Sequence, residues 1–114
     1  MRTVPLMALA MAVAATPALA ADRTGYTAIA AGNMTVAEQR IVAERRIFPD
    51  RPELMLNLAA VYRNTGRDSQ ARALYIAVLD RPAVALDTAS GAVVSSHDLA
   101  QRALARFSTQ MATR

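Results

Sequence analysis

A step of 34 residues relates two parts of this chain, and it constrains the fold more than any other feature of the sequence. The step joins two glycines, two alanines, two large side chains and, one residue early, two prolines: Gly32 and Gly66, Ala37 and Ala71, Ile41 and Tyr75, Pro49 and Pro82. A period of this length is typical of helix–turn–helix units that stack on one another. We therefore predict an all-α fold.

Residues 52–82 carry the clearer of the two units. Pro52 suits the first turn of a helix, where a backbone N–H has no partner to lose. Gly66 then ends that helix in the left-handed conformation, and Asp68 or Ser69 caps the next one. Both helices have apolar residues at the spacing of one helical face. These residues are Leu54, Met55, Leu58, Val61 and Tyr62 in the first, and Ala71, Leu74, Tyr75, Val78 and Leu79 in the second.

Residues 22–49 follow the same plan with weaker signals. A short, alanine-rich helix over 22–31 precedes the turn at Gly32. Thr35 is expected to cap the second helix, with Glu38 completing a capping box. The apolar side of that helix contains Ala37, Ile41 and Phe48. We therefore interpret 22–49 as a degenerate copy of the unit.

Residues 52–82 resemble a tetratricopeptide repeat. The resemblance is carried by Leu58, Ala59, Tyr62, Gly66, Ala71, Tyr75 and Pro82. It implies a short stack of two repeats, the first one degenerate, that serves as a non-enzymatic adaptor or scaffold. In this family the first helices of the repeats line a concave groove that holds a peptide or protein partner. The corresponding residues, our candidate partner-binding site, are Glu53, Leu56, Asn57, Ala60, Arg63 and Asn64.

Residues 83–114 leave the period. Two short apolar runs, 84–86 and 92–94, flank a turn that contains Gly91, and this pattern favours a small β-hairpin over an irregular loop. A last amphipathic helix starts at Ser95, with Asp98 completing a capping box. Because two repeats are few for a stable stack, this helix is expected to cap the exposed end. The alternative is that the chain forms a homodimer or docks on a partner.

Residues 1–20 have the three regions of a secretory signal peptide. Arg2 supplies the positive start, residues 4–15 are apolar apart from Pro5, and residues 18–20 read Ala-Leu-Ala before the expected cleavage. An uncleaved membrane anchor is the alternative, disfavoured by the proline and the many alanines. We therefore predict a bacterial protein, periplasmic or secreted, with no stable membrane insertion after cleavage. The chain contains no cysteine, which excludes disulfides and thiolate metal sites.

The remaining residues indicate no catalytic chemistry. His97 is the only histidine and lies within the expected capping box, so we predict no catalytic residues, no metal site and no cofactor. All 13 basic residues are arginines and the net charge is +4, but they are interleaved with acids, which argues against nucleic-acid binding. A second hypothesis is a small-ligand or envelope-surface binding protein whose arginines, such as Arg63, Arg67 and Arg72, hold anionic groups.

Overall fold

Helices separated by glycine turns form most of the computed structural model, which describes residues 23–88 and 90–112. The five helices are α1 (Tyr26–Ala30), α2 (Met34–Arg45), α3 (Pro52–Asn64), α4 (Asp68–Leu79) and α5 (Ser96–Ala112), and the two strands are β1 (Ala85–Asp87) and β2 (Val93–Ser95). The prediction of a helical stack with a small hairpin and a C-terminal helix is thereby confirmed. The expected signal peptide, 1–20, lies outside the described residues.

The two helical turns have the same backbone geometry. Gly32 and Gly66 take φ values of 81° and 79°, a conformation that favours glycine because it has no Cβ atom. In both cases the chain reverses between two antiparallel helices, so α1 with α2 and α3 with α4 form helical hairpins. The two glycines related by the 34-residue step thus form the turns that their spacing predicts.

The predicted caps of α2 and α4 are wrong. Asn33 directly follows the glycine turn, and its side-chain oxygen accepts a hydrogen bond from the Val36 backbone N–H at 3.2 Å, so Thr35 lies inside the first helical turn. At α4 the cap position belongs to Arg67, which makes no side-chain capping bond. Asp68 is the first helical residue, where a negative charge is favourable near the helix N-terminus.

Helix α3 buries two faces, one in each of two apolar cores. The first core joins α1, α2 and α3, and it consists of Ala28, Ala37, Ile41, Leu54, Leu58 and Val61. The second core joins α3, α4 and α5, and it consists of Met55, Ala59, Ala71, Tyr75, Val78, Ala100, Ala103 and Phe107. Consecutive residues of α3 therefore serve different cores, which makes α3 the central element of the stack.

The last helix covers α4, as expected of a capping element. The ring of Phe107 lies 6.1 Å from that of Tyr75, centroid to centroid, at a tilt of 54°. Tilted contacts of this kind are favourable for aromatic pairs.

The prediction that Phe48 lies on the apolar side of α2 is wrong. Phe48 follows the end of that helix, is 40% exposed, and has the Arg51 guanidinium 4.0 Å above its ring.

The hairpin is antiparallel and is fixed at its base by the start of α5. Its central pair is Leu86 with Val94. The buried Ser96 accepts a hydrogen bond at Oγ from the Val84 backbone N–H at 3.0 Å and donates its own N–H to the Val84 carbonyl at 2.8 Å. These two bonds hold the base of the hairpin against the first turn of α5.

The expected capping box at the start of α5 is formed only in part. The Ser95 hydroxyl accepts a hydrogen bond from the His97 backbone N–H at 3.2 Å. The Asp98 carboxylate instead pairs with Arg102, one turn further along α5, at 2.8 Å. The His97 ring contacts the Arg81 carbonyl oxygen at 2.6 Å and so ties α5 to the end of α4.

Candidate functional site

A cavity of about 430 Å³ opens between the first helix of each hairpin, the β-hairpin and the last helix. Its lining residues come from α1, α3, the β1 side of the hairpin and α5: Tyr26, Glu53, Leu56, Asn57, Leu86, Asp87, Thr88 and Leu99. Three leucine side chains and one aromatic ring make most of the lining apolar. A concave apolar site with a few polar groups is the usual form of a binding site. We call it the leucine cavity.

A second, shallower cavity of about 390 Å³ lies further along the same two long helices. It is lined by Arg63 of α3 and by Ala105, Arg106 and Thr109 of α5. Because the leucine cavity takes residues from the early turns of α3 and α5, and this one from their later turns, the two helices run side by side in the same direction. We call this second site the arginine cavity.

The six predicted partner-binding residues divide between these two cavities. Glu53, Leu56 and Asn57 line the leucine cavity, whereas Arg63 lines the arginine cavity. Ala60 lies between them along α3 and is half-buried, and Asn64 is exposed at the last position of that helix. The predicted set therefore lies along α3, with its members at different ends; α3 and α5 border both cavities, and we call the surface between these two helices the groove.

Two of the predicted residues are more constrained than the sequence indicates. Leu56 is half-buried and packs against the second core, so only part of its side chain is available to a partner. The Asn57 amide nitrogen donates a hydrogen bond to the Thr24 carbonyl oxygen at 2.9 Å. That bond holds the segment before α1 against α3, and it thereby positions Tyr26 at the opposite wall of the leucine cavity.

The leucine cavity contains two carboxylates without a partner arginine. Four of the eight acids in the described ranges form an ion pair with an arginine: Glu38 with Arg67, Glu44 with Arg51, Asp50 with Arg81 and Asp98 with Arg102. Within the same ranges, no arginine pairs with Glu53 or Asp87. The cavity thus combines an apolar lining with uncompensated negative charge.

The arginine cavity has the opposite character. Arg63 and Arg106 both lie near the Tyr75 phenol, which the second core encloses. Burial raises the pKa of Tyr75, and the positive charges of the two arginines offset part of that effect. The Arg63 guanidinium also lies 5.8 Å from the centroid of the Phe107 ring. Two guanidinium groups on adjacent helices therefore face one shallow surface.

The cationic patch suggested by Arg63, Arg67 and Arg72 does not form as one surface. The Arg67 guanidinium makes a bidentate contact with the Glu38 carboxylate and lies 4.5 Å from the centroid of the Tyr62 ring. Arg67 therefore links α2 to the turn between α3 and α4. Arg72 is exposed on α4, whereas Arg63 belongs to the arginine cavity.

The site also contains residues that the sequence alone did not assign to it. Five lining residues come from outside α3, namely Tyr26, Leu86, Asp87, Thr88 and Leu99. The sequence offered one signal for them: the departure from the 34-residue period after Pro82. An insertion between two helices of a stack must lie against one of its faces, and here it forms a wall of the groove.

The described residues provide no metal-binding cluster and no membrane-spanning helix. Across 23–88 and 90–112, no three His, Cys, Asp or Glu side chains come together as a metal site would require. In the same part of the chain, no helix is both long enough and apolar enough to cross a membrane.

Comparisons of the chain with protein-family models, with curated proteins and with solved structures find no match. The resemblance to tetratricopeptide repeats therefore stays a prediction from the residues quoted above. What the structure adds is the helical stack itself and the groove along α3 and α5.

Proposed function

We propose that this chain is an exported, non-enzymatic adaptor that binds a segment of another protein in the groove along α1, α3 and α5. The proposal takes the stack as tetratricopeptide-like, with α1 and α3 as the first helices of two repeats. One observation carries it: the leucine cavity brings three predicted partner-binding residues of α3 together with an aromatic wall from α1.

The exposure of Tyr26 supports this proposal. Tyr26 is 49% exposed although it lines a cavity with three leucines. Aromatic side chains that contact an apolar cavity while remaining accessible are common anchors at protein interfaces. A partner that inserts an apolar side chain here would remove several large apolar surfaces from water, which is the main driving force for association.

Site-specific photo-crosslinking in living cells tests the proposal. A benzophenone amino acid that replaces Tyr26 keeps an aromatic ring at the wall of the leucine cavity. The same amino acid at Ile76 is a matched control, because Ile76 is 46% exposed but belongs to α4, and it does not line either cavity. We expect a discrete crosslinked protein at position 26 and none at position 76.

Two outcomes of this experiment would contradict the proposal. A crosslinked protein at position 76 but not at 26 would place the binding surface on α4. Equal diffuse crosslinking at both positions would indicate no specific partner. Recovery of the crosslinked adduct from the cytoplasm, with residues 1–20 still attached, would contradict only the part of the proposal that concerns export.

The second hypothesis, a small-ligand or envelope-surface binding protein, is favoured by the arginine cavity. Arg63 and Arg106 could hold a carboxylate or phosphate group, which arginine binds with good geometry. Binding of such an anion would weaken steeply with salt, since both side chains are accessible to solvent. Titration with citrate or inorganic phosphate distinguishes the two hypotheses, because the adaptor does not require a free anion to bind at all.

A further inference from the structure

The groove is electrically polarised along its length. At the end formed by the early turns of α3 and α5, the leucine cavity carries the unpaired carboxylates of Glu53 and Asp87. At the other end, the arginine cavity carries the guanidinium groups of Arg63 and Arg106. Two of the four carboxylates that pair with no arginine within the described ranges therefore lie in the leucine cavity.

The helical geometry of α3 sets the distance between the two charged ends. Glu53 and Arg63 are ten residues apart on α3, and a rise of 1.5 Å per residue places their backbones about 15 Å apart. An extended peptide covers this distance with about four or five residues. Both ends are therefore within reach of one short segment.

We propose that the groove binds an extended peptide segment in one direction. The segment places an arginine or lysine, next to an apolar side chain, at the leucine cavity. It places a carboxylate at the arginine cavity, four or five residues away. This inference rests on the proposed function, and it adds the chemistry and orientation of the partner.

Charge complementarity argues for this occupant over others. An apolar side chain alone would fill the leucine cavity but would leave Glu53 and Asp87 without a counter-charge. An acidic segment would be repelled there and attracted to the other end. Opposite charges at the two ends of an interface fix the orientation of a ligand more than they raise its affinity.

Selection from a random dodecapeptide display library on the immobilised chain lacking residues 1–20 tests the inference. We expect the retained peptides to share a basic residue beside an apolar one, with an acidic residue four or five positions away. A synthetic copy of the strongest peptide is then compared with a second peptide whose basic and acidic residues are exchanged. We expect the exchange to weaken binding about three- to tenfold at low salt, as exposed charge pairs allow.

Two charge-removing variants assign each end of the peptide. In Glu53→Gln with Asp87→Asn, replacing the peptide's basic residue with methionine should cause no further loss of affinity. In Arg63→Gln with Arg106→Gln, removing the charge of the peptide's acidic residue should likewise cause no further loss of affinity. Circular dichroism of both variants serves as the control for folding.

The outcomes separate this inference from the proposed function. If the retained peptides compete with one another and lose binding to a Tyr26→Asp variant but show no order of charges, the proposed orientation of the peptide is wrong. The adaptor proposal would then stand. Failure to retain any peptide above an unrelated protein would overturn both. Binding of a second copy of this chain in place of the peptides would also contradict the proposed occupant.

Discussion

The two helical hairpins share one spacing and one turn geometry, yet their first helices are held very differently. Helix α1 has five residues, with Gly25 at its N-cap position, and contributes one buried alanine to the first core. Helix α3 has 13 residues, has a proline in its first turn and is buried on two sides. Repetition in sequence therefore gives equal turns without giving equal burial of the helices.

The position of each hairpin in the stack explains this difference. The second hairpin lies between the first hairpin and α5, so its apolar residues face neighbours on both sides. The first hairpin has one such neighbour within the described residues. Besides the first core, it is held by the hydrogen bond from Asn57 to Thr24 and by the ion pair between Glu38 and Arg67.

The largest test of this comparison concerns the close contact at Gly25. A Cβ atom there would lie 2.6 Å from Cγ1 of the buried Ile41, and the backbone φ of 74° is itself unfavourable for alanine. We expect Gly25→Ala to lower the free energy of unfolding by about 2–4 kcal/mol, the sum of backbone strain and overpacking. Urea denaturation followed by circular dichroism measures it.

Gly32→Ala is the matched control for this substitution. Its φ is 81°, but no atom lies within 4 Å of the added Cβ, so only the backbone cost of about 1–2 kcal/mol applies. Equal losses in the two variants would contradict the expectation that crowding against Ile41 adds to the backbone cost at Gly25.

A smaller effect is expected from the ion pair that joins the hairpins. The hydrogen bonds from Arg67 lower the pKa of Glu38 below its ordinary value. The pair therefore stabilises the fold above the unfolded-state pKa of about 4.3, and that contribution is lost as the pH falls through the folded-state pKa. Both side chains are about one-third exposed, 36% for Arg67 and 31% for Glu38, so the effect is small.

Glu38→Gln sharpens the comparison because it removes this link without changing side-chain size. We expect a slightly lower thermal midpoint at pH 7 and a weaker loss of stability on acidification than in the unaltered chain. Asp98→Asn is the control, since the pair of Asp98 with Arg102 lies within one helix. If the two variants respond alike, the link between hairpins has no stabilising effect of its own.

Much of the helical framework could be predicted from local sequence. Gly66 ends α3, Pro52 begins it, and the apolar spacing of α3 identifies its buried residues, because each of these signals acts within a few residues. The start of α2 was predicted wrongly because Asn33 and Thr35, two positions apart, are both good capping residues. The choice between them depends on how the preceding glycine turn directs the chain.

The candidate site was less predictable for a physical reason. The sequence placed Glu53, Leu56 and Asn57 on one face of α3, which helical periodicity determines. It could not place Tyr26 or Asp87 opposite them, because that depends on how α1 and the β-hairpin pack across the groove. Contacts between residues that are distant in sequence need the tertiary structure.

Hydrogen–deuterium exchange on the chain lacking residues 1–20, with and without the strongest selected peptide, tests the central claim most directly. The claim is that the groove of α1, α3 and α5, closed by the β-hairpin, is the binding surface. We expect slower amide exchange in residues 52–64 and 85–88 on peptide addition, with α2 and the exposed side of α4 unchanged. Protection confined to α2 and α4 would contradict the account.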